Sequence, residues 1–170
     1  MFSKDFYYGA STAGFQVEMG SGKAIDPNTD WFVWTRDKLN AENGIVSGDD
    51  PAQGCDYWYN YKAFHDLAQN AGMNMLRIGV EWSRIFPEAT FGIETPEELA
   101  AVADSEAVTH YREIMKDIKD RNITLMVNLN HFTLPLWLHD PIKVNRERDM
   151  TSAAGLTKGP FVSLKNMPDS

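Results

Sequence analysis

A chain of 170 residues can bury one sizeable core but falls well short of the ~250 residues of a complete α/β barrel. Its 43% hydrophobic and 24% charged residues are ordinary for a globular protein and argue against disorder or a fibrous repeat. With 16 Lys and Arg against 24 Asp and Glu, the chain lacks the clustered positive charge that nucleic-acid binding needs.

The first predicted element is a short strand in DFYYGAST, residues 5–12, running into a turn permitted by Gly9. Residues 19–55 hold five glycines and two prolines and read as a long loop, with a short helix over 31–38. A loop of that length inside a domain is usually functional. From Asp56 the pattern turns helical: Tyr57, Tyr61, Phe64, Ala68 and Ala71 fall on one stripe, and Gly72 stands where a C-terminal cap belongs. MNMLRIGV then reads as a strand covered on both faces. TPEE at 95–98 carries a capping box with proline at the first helical position. A longer helix is expected after it, with Val108, Tyr111, Met115 and Ile118 on its apolar side. ITLMVNLN supplies the next strand. Strands alternating with helices point to an α/β fold with a parallel sheet, either a barrel or a doubly wound sheet. The phosphate-cradling G-x-G-x-x-G and P-loop signatures are missing, which favours the barrel and implies no nucleotide cofactor.

Cys55 is the single cysteine, so no internal disulfide is expected, and the histidines show no metal-ligand spacing. The N-terminal residues lack the apolar core of a signal peptide, and no run approaches the ~20 apolar residues of a membrane span. A cytoplasmic protein with no membrane partner is the expectation. His65 and His110 fall within helices and are read as surface or packing residues.

In α/β barrels the reacting groups lie at the C-terminal ends of strands. Those positions here are Gln16, Glu81 with Trp82, and His131 with Phe132. A carboxamide such as Gln16 can donate and accept at once, as adjacent sugar hydroxyls require, or it can satisfy loop backbone. His131 can bind a hydroxyl through one ring nitrogen, while Phe132 and Trp137 can either present apolar platforms to a sugar ring or pack in the core. Arg77 sits inside an apolar strand, where an unpaired cation is costly, so an anion is expected to face it. That anion is either a catalytic carboxylate, which the arginine would keep ionised, or an ordinary structural partner, for which Glu81 and Glu18 are the local candidates; Glu81 has Arg84 as a second choice of partner. Glu18 and Glu81 also invite reading as the carboxylate pair of a glycosidase, although a structural role for each is simpler.

Taken together, FYYGASTAGFQVEMG, DPNTDW, VSGDDPAQG, YWYNYKAFHDLAQNAGMNMLRIGVEWSRIFP, HYREIMKDIKDRNI and VNLNHFTLPLWLHDPIKV resemble the N-terminal portion of glycoside hydrolase family 1, in its archaeal β-glycosidase branch. The resemblance implies a (β/α)8 TIM barrel, with about three of its eight strands in this chain, and retaining hydrolysis of terminal β-linked glucose or galactose. It implies that Gln16 and His131 bind sugar hydroxyls, that Phe132 stands where the family usually has tryptophan, and that Arg77 lies beside the nucleophile. It implies a small β-glycoside as ligand and no cofactor or metal.

The family's acid/base glutamate lies in an Asn-Glu-Pro motif after the fourth strand and its nucleophile in a Glu-Asn-Gly motif after the seventh. This chain is read as lacking both catalytic glutamates and as inactive by itself. Residues 1–148 are assigned to the barrel portion and 149–170 to a divergent or truncated tail. Three further readings stay open: self-association, assembly with a separate C-terminal chain, and a non-catalytic sugar-binding remnant.

Overall fold

The computed structural model describes Ser3 and residues 5–144. The expected boundary after residue 148 and the tail beyond it lie outside the described residues.

Strand β1 (Gly9–Ser11) leads through a tight connection into the five-residue helix α1 (Gly14–Glu18). β1 is shorter than the expected 5–12 because a side chain replaces the ladder before it. The Tyr8 N–H donates to Asn74 Oδ1 at 2.8 Å, and Asn74 Nδ2 donates to the Phe6 carbonyl at 2.9 Å. Gly9 begins the strand instead of ending it: a Cβ there would stand 1.8 Å from the Met75 carbonyl oxygen, an approach only glycine allows.

The helix expected over 31–38 is two helices, α2 (Asp30–Arg36) and α3 (Lys38–Glu42). Asp37 breaks them apart, since its extended backbone ends α2 and its carboxylate accepts the Asn40 N–H to start α3. Helix α4 (Tyr57–Asn70) and strand β2 (Met75–Gly79) follow as the periodicity predicts. A four-residue helix α5 (Trp82–Ile85), which the sequence pattern does not announce, turns the chain away after β2.

Thr95 and Glu98 form the capping box at the start of α6 (Pro96–Val102). The helix does not continue as expected. Ala103 is extended, the Asp104 N–H donates to the Ile85 carbonyl, and the Asp104 carboxylate caps α7 (Ser105–Asp120) through the Ala107 N–H at 2.8 Å. Strand β3 (Thr124–Asn128) closes the described order.

The strands form one parallel sheet in the order β1-β2-β3, with Ser11 opposite Arg77 and Arg77 opposite Met126. Alternation along β2 decides which side chains meet the core. Leu76 and Ile78 are buried against Tyr57, Trp58, Tyr61 and Ala68 of α4 and Ala107, Tyr111, Ile114 and Ile118 of α7. Full burial of an isoleucine such as Ile114 contributes about 1.5–3 kcal/mol. The buried stripe of α7 runs through Ala107 and Ile114, with Val108 and Met115 at its margin.

His65 clamps α4 to α7. Its Nδ1 meets Asp117 Oδ2 at 2.7 Å and its Nε2 meets the Tyr57 hydroxyl at 2.8 Å. It is therefore a packing residue, and burial holds its pKa below the ordinary imidazole value despite Asp117.

Arg77 lies between Leu76 and Ile78 and so projects from the opposite face, together with exposed Ser11 and Met126. Among the described residues that face carries no covering helix, and the outer edges of β1 and β3 pair with no further strand. Three parallel staves with helices on one side are a piece of an α/β barrel.

Candidate active site

The strand ends gather two kinds of group: buried polar residues behind the sheet and exposed ones at its rim. The buried set centres on Arg84 of α5, only 8% exposed. Its Nε donates to Glu18 Oε2 at 2.8 Å, its Nη1 to the Lys23 carbonyl at 3.1 Å and its Nη2 to the Ala24 carbonyl, while its guanidinium lies 4.0 Å from the Trp58 ring centroid. The Tyr111 hydroxyl donates to Glu18 and accepts the Glu81 N–H at 3.0 Å. Asp26 accepts from Ser83 Oγ at 2.6 Å alongside.

Burial pushes the Glu18 carboxyl up to about 7 against the pull of Arg84, with the nearby Glu81 charge adding to the rise. Burial likewise raises Glu81, opposed by its hydrogen bonds from Thr133 and the Phe15 amide. It works against the charge of Arg84, but Glu18, Tyr111 and Asp26 outweigh it and hold the guanidinium above its usual value.

Glu18 and Glu81 are thus not a free carboxylate pair. Glu18 belongs to Arg84 and Tyr111, and Glu81 accepts from the Phe15 N–H at 3.2 Å and Thr133 Oγ1 at 2.7 Å. Neither faces Arg77, and Glu81 does not take the ion pair with Arg84. The two local candidates for an anion at Arg77 are therefore set aside, because each is already held by other partners, whereas Arg77 points to the bare side of the sheet. Its Nη1 donates to Ser11 Oγ at 2.7 Å, and among the described residues no carboxylate pairs with it.

The rim residues sit at successive strand ends. Gln16 is exposed on α1 and borders an open crevice of about 580 Å³ between α1 and residues 46–54. His131 is half-buried in the turn after β3, and Phe132, 74% exposed with φ 71°, stacks edge-on to it at 5.1 Å. A left-handed backbone at phenylalanine is strained and marks a segment held by its surroundings. No hydrogen bond joins Gln16, Arg77 and His131 to one another among the described residues: Gln16 and His131 follow the ends of β1 and β3, and Arg77 lies mid-strand in β2. Trp137 is packed instead: its indole N–H donates to the Phe86 carbonyl at 2.9 Å and its ring meets Trp82 and Phe91 edge to face.

The segment after β3 is stitched to the 26–30 loop. The Leu134 N–H donates to Asp30 Oδ1, His139 Nδ1 meets Asp30 Oδ2 at 2.8 Å, and Thr29 bridges Pro135. Sequence reading missed Asp30 and Thr133, whose roles depend on contacts about 50 to 110 positions apart that no local pattern encodes. Among the described residues no group of three or more His, Cys, Asp or Glu is placed to hold a metal, and no helix is long and apolar enough to cross a membrane.

The profile of Glycosyl hydrolase family 1 matches residues 1–151. The chain belongs to this family. A beta-galactosidase of Saccharolobus solfataricus is 44% identical over 171 aligned residues, covering 91% of this chain and 35% of that protein. The crystal structure of Fpglu1 from Fervidobacterium pennivoraus matches with a TM-score of 0.83 at 53% identity, over 86% of this chain and 33% of the other. The beta-glycosidase of the hyperthermophile Thermosphaera aggregans matches with 0.83 at 44%, over 88% and 35%. The chain therefore spans about a third of the length of these relatives, aligned with their N-terminal part, and its sheet is part of the family's TIM barrel.

Membership sharpens one sequence expectation. Asn-Glu-Pro does not occur, but Glu-Asn-Gly does, at Glu42–Gly44. It closes the short helix α3 between β1 and β2, with Gly44 left-handed at φ 67° and Glu42 exposed 3.6 Å from Lys38. It stands at a helix end before the second strand, whereas the family motif belongs after the seventh.

Proposed function

We propose that this chain forms the first staves and part of the sugar-binding wall of a retaining β-glycosidase acting on terminal β-linked glucose or galactose. In this reading Gln16 and His131 hydrogen-bond sugar hydroxyls, and Phe132 offers an apolar ring where tryptophan would add an indole N–H. Arg77 lies beside the glutamate nucleophile and favours its ionised form. The reading is supported above all by the guanidinium of Arg77, aimed at the uncovered face of the sheet with only Ser11 as partner among the described residues. A cation so placed suits an anion that the described residues do not provide.

On the same reading the 170 residues are inactive alone, because leaving-group protonation and the covalent intermediate both need carboxylates at the barrel mouth. The open edges of β1 and β3 favour assembly with a C-terminal portion, made in the same or a separate chain, in the cytoplasm. The test is co-expression with the part of the Saccharolobus solfataricus beta-galactosidase that follows the matched region, assayed on chromogenic β-glucosides and β-galactosides. The chain alone should give buffer-level hydrolysis, and the co-purified pair should give turnover that Arg77→Met removes. Hydrolysis by the chain alone, or a stable pair without turnover, contradicts the proposal.

A further inference from the structure

Glu81 follows the last strand residue of β2 by two positions and is only 3% exposed, yet it forms no ion pair among the described residues. Its two oxygens serve two different segments. Oε1 accepts the Phe15 N–H at 3.2 Å, and Oε2 accepts from Thr133 Oγ1 at 2.7 Å. Phe15 adjoins Gln16, and the Thr133 N–H in turn donates to the His131 carbonyl at 2.9 Å.

We propose that Glu81 is a positioning residue that ties the Gln16 segment to the His131 segment and fixes their separation. This rests on the reading above that both side chains face the sugar. Helix α1 has Ala13 at its N-cap, a residue with no side chain able to accept the first amides, and the carboxylate from the end of β2 takes that place. The fit is close: a Cβ on Gly14 would stand 2.2 Å from Glu81 Oε1, so any side chain there would push the carboxylate from its place. The carboxylate is itself anchored, because the Glu81 N–H is held by the Tyr111 hydroxyl from α7. Arg84 does not need Glu81 for neutralisation, since Glu18 already fills that role. What remains for Glu81 is to bridge the two strand-end segments.

Solution NMR on the 170-residue chain tests the bridge without sugar or turnover. The readouts are hydrogen exchange of the Phe15 amide and the His131 ring resonances, with α4 and α7 amides as internal controls. Glu81→Met, which makes neither bond, should speed Phe15 exchange about tenfold or more and shift His131, while the control amides keep their protection. Glu81→Gln can accept from Phe15 and donate to Thr133, and should restore both signals. Thr133→Val cuts one arm only and should move His131 while sparing Phe15, which decides the matter even if Glu81→Met fails to fold. The bridge is refuted if Glu81→Gln is as disruptive as Glu81→Met, or if neither Glu81→Met nor Thr133→Val moves His131. Failure of the sugar-binding reading would appear instead in the turnover assay, with these NMR results unchanged.

Discussion

Arg77 and Arg84 stand seven positions apart on either side of the end of β2, and their surroundings are opposite. Arg84 is enclosed on the helix side of the sheet, with Glu18, two backbone carbonyls and the face of Trp58 around its guanidinium. Arg77 projects from the other side and meets a serine hydroxyl. Glu18 is held by Arg84 and Tyr111 and Glu81 by the Phe15 amide and Thr133, and among the described residues no carboxylate pairs with Arg77. One arginine is closed in by an acid, backbone and an aromatic face, and the other meets only a serine hydroxyl among the described residues, a difference that follows from the two-residue period of a strand and the turn made by α5.

The comparison breaks most visibly at Arg84. Arg84→Met leaves Glu18 buried without its cation and should lower stability by about 3–5 kcal/mol, measured by urea denaturation at pH 7. Next in size is a pH effect at Glu18. Its folded pKa of about 7 lies above the unfolded 4.5, so the folded state binds more protons between those values and stability falls as pH rises through the window. His65, with its lowered pKa, pulls in the opposite direction, so the effect is read as the difference between wild type and Glu18→Gln. That difference should decline by an amount on the order of 3 kcal/mol from about pH 4 to 8. The smallest effect is at the open arginine: Arg77→Met should change stability by no more than about 0.5 kcal/mol, because little native structure depends on it. A loss near that of Arg84→Met would erase the distinction.

Much of this was legible locally. The stripe of α4, the Thr95–Glu98 capping box and the alternation that sends Arg77 away from Leu76 and Ile78 all follow from spacing along the chain. What escaped were decisions made by distant partners. The division of α6 from α7 is fixed by Asp104 donating to Ile85, the shortening of β1 by the Asn74 side chain, and the pairing of Glu18 with Arg84 by a contact 66 positions apart. The local candidates for an anion at Arg77 were looked for within reach in sequence, but distant partners already hold both: Glu18 is bound by Arg84 and Tyr111, and Glu81 by the Phe15 amide and Thr133. For the rim residues, family resemblance carried more than residue type: a lone glutamine, histidine and phenylalanine have too many ordinary uses to identify a sugar site.

The central proposal is that Arg77 faces an anion supplied from outside the 170 residues. It is tested most directly by measuring exchange of the two arginine Nε–H protons with water by NMR on the 170-residue chain. The account predicts a slowly exchanging Arg84 Nε–H, locked on Glu18 Oε2, beside an Arg77 Nε–H that exchanges about as fast as in an unstructured peptide. An Arg77 proton protected as strongly as that of Arg84 would mean that the chain already supplies its partner, and would contradict the claim.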